Sequence, residues 1–327
     1  MKSEIERSLP VIPESDIYRE DGRKSLTELW ETYLTLIDKG WIGEIIASQE
    51  ITLPDGSMAE LPIFAFRTPL PAGKSEEALW VLGGVHGEEP AGPNAFSQKI
   101  DSIDHLREFG IPVVFIPLMN PAGYFRDWRY EDERRDFTKG HSVSDSEHML
   151  LAENSRPRTD HPASKTADQI TSWIERSVSA YYPKLVIDHH EDRVPEKFPE
   201  GDPRNITSCY VYASGQGSHT ADIAQAVNRL FIESGLPVID QGTTRFGEQI
   251  ISGVVANAAD GSIDEFLSSA KYFSRSENRI KDKFPASTSI VVETTIPFDG
   301  SIPLIDRVRA HGKIVDSYLP FWQLVKS

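Results

Sequence analysis

His86 and Glu89, three residues apart in Gly83-Gly84-Val85-His86-Gly87-Glu88-Glu89-Pro90, are the first residues of this chain whose types and spacing suit chemistry. An imidazole and a carboxylate on one tight turn can both face a single ion, and this turn follows the apolar run 79–82. A buried strand of a parallel sheet delivers its C-terminal end to the crevice where α/β proteins bind ligands, and glycines let the chain turn there without a Cβ clash. Two more strand-like runs end in ligand-competent groups. Residues 184–187 lead into Asp188-His189-His190-Glu191-Asp192, and residues 288–292 lead into Glu293. A further run, 111–118, leads into Asn120-Pro121-Ala122-Gly123, with Arg126 and Arg129 just beyond. Two imidazoles and one carboxylate are the ligand set of a catalytic zinc site that keeps a fourth position for water, and another carboxylate is the usual base beside it.

The elements that must position these groups can be read from periodicity. Residues 1–24 are polar, with Pro10 and Pro13, and read as a loosely held arm. Ser25 with Glu28 three residues on marks a helix start, and Leu26, Leu29, Trp30, Tyr33, Leu34 and Leu36 form an apolar stripe that ends at Gly40. Residues 41–53 and 58–67, around the turn Pro54-Asp55-Gly56-Ser57, predict a β-hairpin on one edge of the sheet. Strands are predicted at 78–84, 111–118, 184–187, 208–213 and 288–292, and 254–257 reads as loop. Helices are predicted from Pro90 to about Arg107, over 164–180 and 220–234, within 260–267, and from Pro303 to about Val325. Residues 137–164 have no period and are too long for an ordinary connection, so they read as a functional or poorly ordered loop, with His141 and His148 as surface residues. The pattern is that of an α/β fold: a mixed, mostly parallel central sheet with helices on both faces. Residues 1–70 read as an N-terminal helix plus hairpin extension, and 71–327 as the catalytic domain.

Composition narrows the function classes. The chain has 327 residues, 39% hydrophobic and 26% charged, and no apolar run nears the roughly 18 residues of a membrane span. A net charge of −16 argues against nucleic acid or an anionic membrane as the main partner. The first residues lack the apolar segment of a secretory signal, and a single cysteine, Cys209, excludes an internal disulfide; a cytoplasmic location is the expectation.

In the order of its parts the chain resembles the zinc carboxypeptidase family. That family's His-x-x-Glu turn reads here as His86-Gly87-Glu88-Glu89, its Asn-Pro-Asp-Gly loop as Asn120-Pro121-Ala122-Gly123, and its Trp-Arg element as Trp128-Arg129. Its later single histidine falls in Asp188-His189-His190, its pocket-lining loop on Gly261-Ser262-Ile263-Asp264, and its C-terminal glutamate in Val292-Glu293-Thr294. The resemblance spans roughly 78–310 and implies one zinc per chain, held by His86, Glu89 and His190. It implies Glu293 as the base that deprotonates the bound water and Arg129 as the holder of the developing oxyanion, with Asn120, Arg126 and Ile263 facing the substrate, a small peptide or amide. His190 is preferred to His189 because residues two apart on a strand share a face, which pairs Asp188 with His190.

Two family features are missing. Residues 130–187 contain no Asn-Arg pair, which grips a terminal carboxylate in the family; Arg126, Arg134 and Arg135 are the nearby candidates to replace it. The tyrosine of the family's mobile loop falls on Ala256. A zinc peptidase or amidase is the first reading. A deacylase of the succinylglutamate desuccinylase and aspartoacylase type ranks second, because those relatives continue into a C-terminal β domain, whereas the 34 residues after Glu293 (327 − 293) read as helix. A metal-binding protein without catalysis is the third, and Arg129 with Glu293 speaks against it, since a pure metal site needs neither.

Overall fold

The computed structural model describes residues 5, 9–132, 140–194, 196–202, 204–257 and 259–327, and Arg134 and Arg135 lie outside them. In chain order the helices are α1 (Asp16–Asp21), α2 (Leu26–Asp38), α3 (Ala91–Gln98), α4 (Ile100–Glu108), α5 (Pro121–Arg126), α6 (Lys165–Ser177), α7 (Thr220–Glu233), α8 (Ile263–Ser268), α9 (Leu304–Asp316) and α10 (Tyr318–Lys326). The strands are β1 (Ile42–Thr52), β2 (Met58–Arg67), β3 (Glu76–Gly83), β4 (Val113–Ile116), β5 (Tyr181–Arg193), β6 (Tyr210–Ser214), β7 (Gln241–Thr243), β8 (Gln249–Ile251), β9 (Val254–Ala256), β10 (Lys271–Ser274), β11 (Arg279–Asp282) and β12 (Thr288–Ile296).

Ten strands form one mixed sheet in the order β1-β2-β4-β3-β5-β12-β6-β9-β8-β7, and β10 with β11 makes a separate hairpin. The centre, β4-β3-β5-β12, is parallel; β1-β2-β4 on one flank and β12-β6 and β9-β8-β7 on the other bring in the antiparallel pairs. Alternation along the central strands divides the core into two layers. Leu79, Val81, Leu185, Ile187, Ile290 and Val292 join the helices α2, α3, α4, α7, α9 and α10 on one face. Ala78, Trp80, Leu82 and Val186 join α6 and α8 on the other.

The start of α2 is fixed as its sequence implies: the Ser25 hydroxyl accepts from the Glu28 N–H while the Glu28 carboxylate accepts from the Ser25 N–H. The arm before it is better anchored than its polarity suggests. Arg23 is 3% exposed, donates to Asp127 at 2.8 Å and to the Tyr124 carbonyl at 3.4 Å, and so ties residues ahead of α2 to the segment carrying Arg129. Residues 254–256, which lack an alternating pattern long enough to read, form β9 beside β6. The predicted helix after Pro90 is two helices that meet at Lys99, and the last predicted helix breaks at Ser317. Among the described residues no helix is long and apolar enough to cross a membrane.

Candidate metal centre

Three parallel strands bring the candidate ligands together. His86 and Glu89 sit on the turn between β3 and α3, and His190 lies inside β5, whose register places it beside Glu293 of β12. One ligand atom from each of His86, Glu89 and His190 lies within 4.8 Å of the others. His86 Nδ1 is 2.8 Å from Glu89 Oε1, and His190 Nδ1 is 3.1 Å from Glu89 Oε2, so both imidazoles turn the same type of nitrogen toward the carboxylate. The turn needs its glycines. Gly84 has φ +62, and a Cβ on Gly87 would lie 1.9 Å from the Gly123 carbonyl carbon, so only a bare backbone lets the metal turn pass under the loop before Arg129.

Two of the three donors are already in the form that binds a divalent cation, and the third, His190, is held well above its usual range by Asp188 and Glu89 against the effect of burial, so an ion binding there displaces its proton. Although burial pushes the other way, His86 and His190 hold the Glu89 carboxyl well below its usual range, and burial holds His86 down at about 4. Both are therefore in the ligating form at neutral pH, carboxylate and neutral imidazole. His190 Nε2 is 3.2 Å from Asp188 Oδ2, so the ring is held from behind by a carboxylate on the same strand face, an arrangement that orients a ligating histidine.

Around the donors, Glu293 and Arg129 complete the floor of a cavity of about 390 Å³. Burial raises the Glu293 carboxyl well above its usual range, against the effect of His190, and among the described residues its Oε2 has no hydrogen-bond partner. Arg129 is 8% exposed and places Nη1 2.8 Å from Glu89 Oε1. Its carbonyl is fixed by the Asn120 side-chain amide at 3.1 Å and the Gly87 N–H at 3.3 Å, and the Asp127 carboxylate two residues earlier is held by Arg193 at 2.9 Å and Arg23 at 2.8 Å.

Three residues expected to face substrate do not line the cavity. Asn120 is fully buried; besides holding the Arg129 carbonyl, its Oδ1 accepts from the Gly123 N–H at 2.9 Å and from Gln49 at 3.1 Å. Arg126 turns over the Trp128 ring and donates to the Glu131 carbonyl at 3.3 Å. Ile263 is packed in the core with Phe266 and Leu267, while its neighbours Ser262 and Asp264 line the cavity. His148 is likewise buried, bonded to Thr171 Oγ1 at 3.1 Å, in place of the surface position its loop suggested. That loop is built into the site: Ser142, Ser144 and Asp145 line the cavity, and the Ser146 N–H donates to the Gly261 carbonyl at 2.7 Å.

Sequence reading missed Asp260, Glu248, Tyr212 and Ser289, which also line the cavity, whereas Asp264 belongs to the segment 261–264 read as pocket-lining and does line it. Only Ser289 carried a usable signal, sharing the strand face of Glu293 at even spacing.

Behind the sheet lies a buried polar chain. Glu191 accepts from Arg307 Nε at 2.7 Å, from Thr294 Oγ1 at 3.2 Å and from the Ala91 N–H at 2.6 Å. Because the Thr294 hydroxyl gives its one proton to this carboxylate, it must accept from His311 Nε2 at 2.9 Å, which leaves His311 Nδ1 as acceptor of His189 Nδ1–H at 2.6 Å. His189 Nε2 then accepts from Tyr318 at 2.6 Å. One donor direction runs from Tyr318 to Glu191, which clamps the helix that follows the metal turn.

This chain predicts a pH effect. Burial holds His311 down at about 3, so the folded chain keeps it neutral while an unfolded imidazole protonates near 6.5. Between those values the unfolded state binds the extra proton, so the contribution of His311 to stability is complete at pH 7 and diminishes as pH falls, by about 2 kcal/mol at pH 5. His311→Gln removes this titration. Urea unfolding at the two pH values should show the stability gap between wild type and variant shrinking by about that amount at pH 5. A gap independent of pH would contradict the buried neutral imidazole.

No protein-family model matches this chain, and no curated protein matches it. Solved structures do. A protein of Shewanella baltica OS155, provisionally described as a metallopeptidase, superposes with a TM-score of 0.63 at 17% identity, over 90% of this chain and 92% of that one. Its counterpart from Shewanella amazonensis SB2B gives 0.62 at 17% identity, over 90% and 91%. A metallo-carboxypeptidase of Pseudomonas aeruginosa gives 0.50 at 14% identity, over 91% of this chain and 68% of that one. The fold is zinc carboxypeptidase-like. At these identities the likeness concerns the arrangement of strands and helices, and the chemistry must be argued from the side chains.

Proposed function

We propose that this protein is a zinc-dependent hydrolase of a peptide or amide bond. The observation that carries the reading is the convergence of His86, Glu89 and His190, with a second carboxylate, Glu293, and a buried guanidinium, Arg129, lining one cavity together with the two histidines. His86, Glu89 and His190 would hold the ion. Zinc bound there supplies Lewis acidity, which makes a water acidic near neutral pH and polarises a carbonyl.

The remaining work falls to the chain's own groups. Glu293, whose proton affinity is raised by burial, accepts the proton of the attacking water at Oε2 and can return it to the leaving nitrogen. Arg129 fixes a permanent positive charge beside the position where negative charge develops on the carbonyl oxygen. Asp188 keeps the His190 ring oriented, and Asn120 holds the backbone of Arg129.

The test is a panel of peptides and N-acyl amides offered to the zinc-loaded protein, with the metal then removed by a chelator and restored. Cleavage that disappears on chelation and returns with zinc is the expected result. Blank turnover across the panel at full zinc occupancy would remove the hydrolase reading and favour a metal-binding protein.

A further inference from the structure

We propose that the cavity beside the metal centre selects a substrate whose group beyond the scissile amide is a cation, an ammonium or guanidinium. This rests on the hydrolase reading and names the chemistry that the site would select.

Apart from Glu293, four carboxylates line the cavity: Asp145, Glu248, Asp260 and Asp264. Among the described residues Arg129 is the one Lys or Arg side chain there, and it lies on the floor with the metal donors, 2.8 Å from Glu89, where the carbonyl and not the distal group is placed. The carboxylates come from three separate places, the loop before α6, the β7–β8 turn, and the turn leading into the first turn of α8, so they meet through the fold and not as a local acidic run. Their hydrogen bonds among the described residues each use a single oxygen. Tyr212 and Thr244 donate to Glu248 Oε2 at 2.6 and 2.8 Å, the Ser262 N–H to Asp260 Oδ1 at 3.0 Å, the Ser262 hydroxyl shares its one proton between Asp260 Oδ1 and Asp264 Oδ1, and the Glu147 N–H donates to Asp145 Oδ1 at 3.3 Å. The carboxylates are thereby fixed while a second oxygen remains for an incoming donor; burial, with Asp260 beside it, pushes the Asp264 carboxyl up to about 7, so the binding measurements below belong at pH 8, where it is ionised. An anionic group placed along this wall would meet like charge, whereas negative charge on the reacting carbonyl falls to the floor beside Arg129.

Ser289 supplies the independent observation. It is 1% exposed, lines the same cavity from the Glu293 face of β12, and its hydroxyl has no hydrogen-bond partner among the described residues. A buried hydroxyl that the fold leaves without a partner, and that lines a cavity, is available to a group entering that cavity. Its cross-strand neighbour is Ser214, which also lines the cavity, so the floor there is a pair of hydroxyls able to accept from N–H groups. Carboxylates on the wall and hydroxyl acceptors on the floor match a donor-rich cation.

Calorimetric titration of the zinc-loaded protein with n-butylguanidinium and n-butylurea, near-isosteres that differ in charge, tests this directly. The guanidinium should bind at least about 10-fold more tightly, and that preference should fall by about 10-fold in Asp145→Asn and in Asp264→Asn, as expected when one charge partner is removed. Urea binding as tightly as guanidinium, or a preference unchanged in both variants, would overturn the inference. Cleavage is scored separately with N-benzoylagmatine against N-benzoylbutylamine. Charge-selective binding without cleavage of either keeps the cation site and removes the hydrolase; cleavage of both at equal rates by a protein blind to charge keeps the hydrolase and removes the cation site.

Discussion

Glu293→Gln is expected to bind zinc with near wild-type affinity while its turnover falls by roughly 10²–10⁴-fold, the range for losing acid–base catalysis. The amide has the size and planarity of the carboxyl it replaces, but its oxygen is a far weaker base. The ion would be held by His86, Glu89 and His190, whose donor atoms converge without Glu293. A structural effect is expected to be small, because Glu293 Oε2 has no hydrogen-bond partner among the described residues to lose. Metal content by mass spectrometry and turnover on the best amide of the panel separate the two readouts. Zinc lost together with activity would make Glu293 a ligand, and activity retained would make another group the base.

Much of this site could be read before any coordinates, for reasons that belong to particular residues. The pair His86 and Glu89 is carried on one turn, so its geometry is local and its spacing sufficient. Choosing between His189 and His190 needed only the two-residue alternation of a strand: Ile187 and His189 face the layer of α9 and α10, while Asp188 and His190 share the other face, where His190 lines the cavity with Glu293. Hairpin β1–β2 and helix α2 announced themselves through Asp55-Gly56 and the Ser25–Glu28 box. What escaped was non-local. Strands β7 to β9 have three residues each, too short for a period to register, and they are ordered by the neighbours they pair with. The acidic wall is assembled from segments more than a hundred residues apart, and no spacing rule links Asp145 to Asp264. Asn120 misled for the opposite reason: its Asn-Pro turn reads as a site loop, yet its amide is used inside, where it caps α5 and holds the Arg129 carbonyl.

The two adjacent histidines give the sharpest contrast. His190→Ala removes one of three donors and leaves Asp188 facing an empty ring position, so zinc affinity should drop by more than the roughly 10–100-fold typical of losing an outer partner, and activity should vanish with it. His189→Ala should do something different. It takes away a buried ring that touches Phe96 at 4.8 Å between centroids and joins Tyr318 to His311, leaving a cavity and two unsatisfied polar groups. Losses of about 2–5 kcal/mol in unfolding free energy follow from such a change, yet the folded fraction should still carry zinc, because His189 points into the opposite layer of the core. Chemical unfolding paired with zinc stoichiometry on the folded pool reads both effects from one preparation. A folded His190→Ala protein that keeps its zinc, or a folded His189→Ala protein that loses it, would reverse the assignment of faces along β5 and with it the placement of the metal.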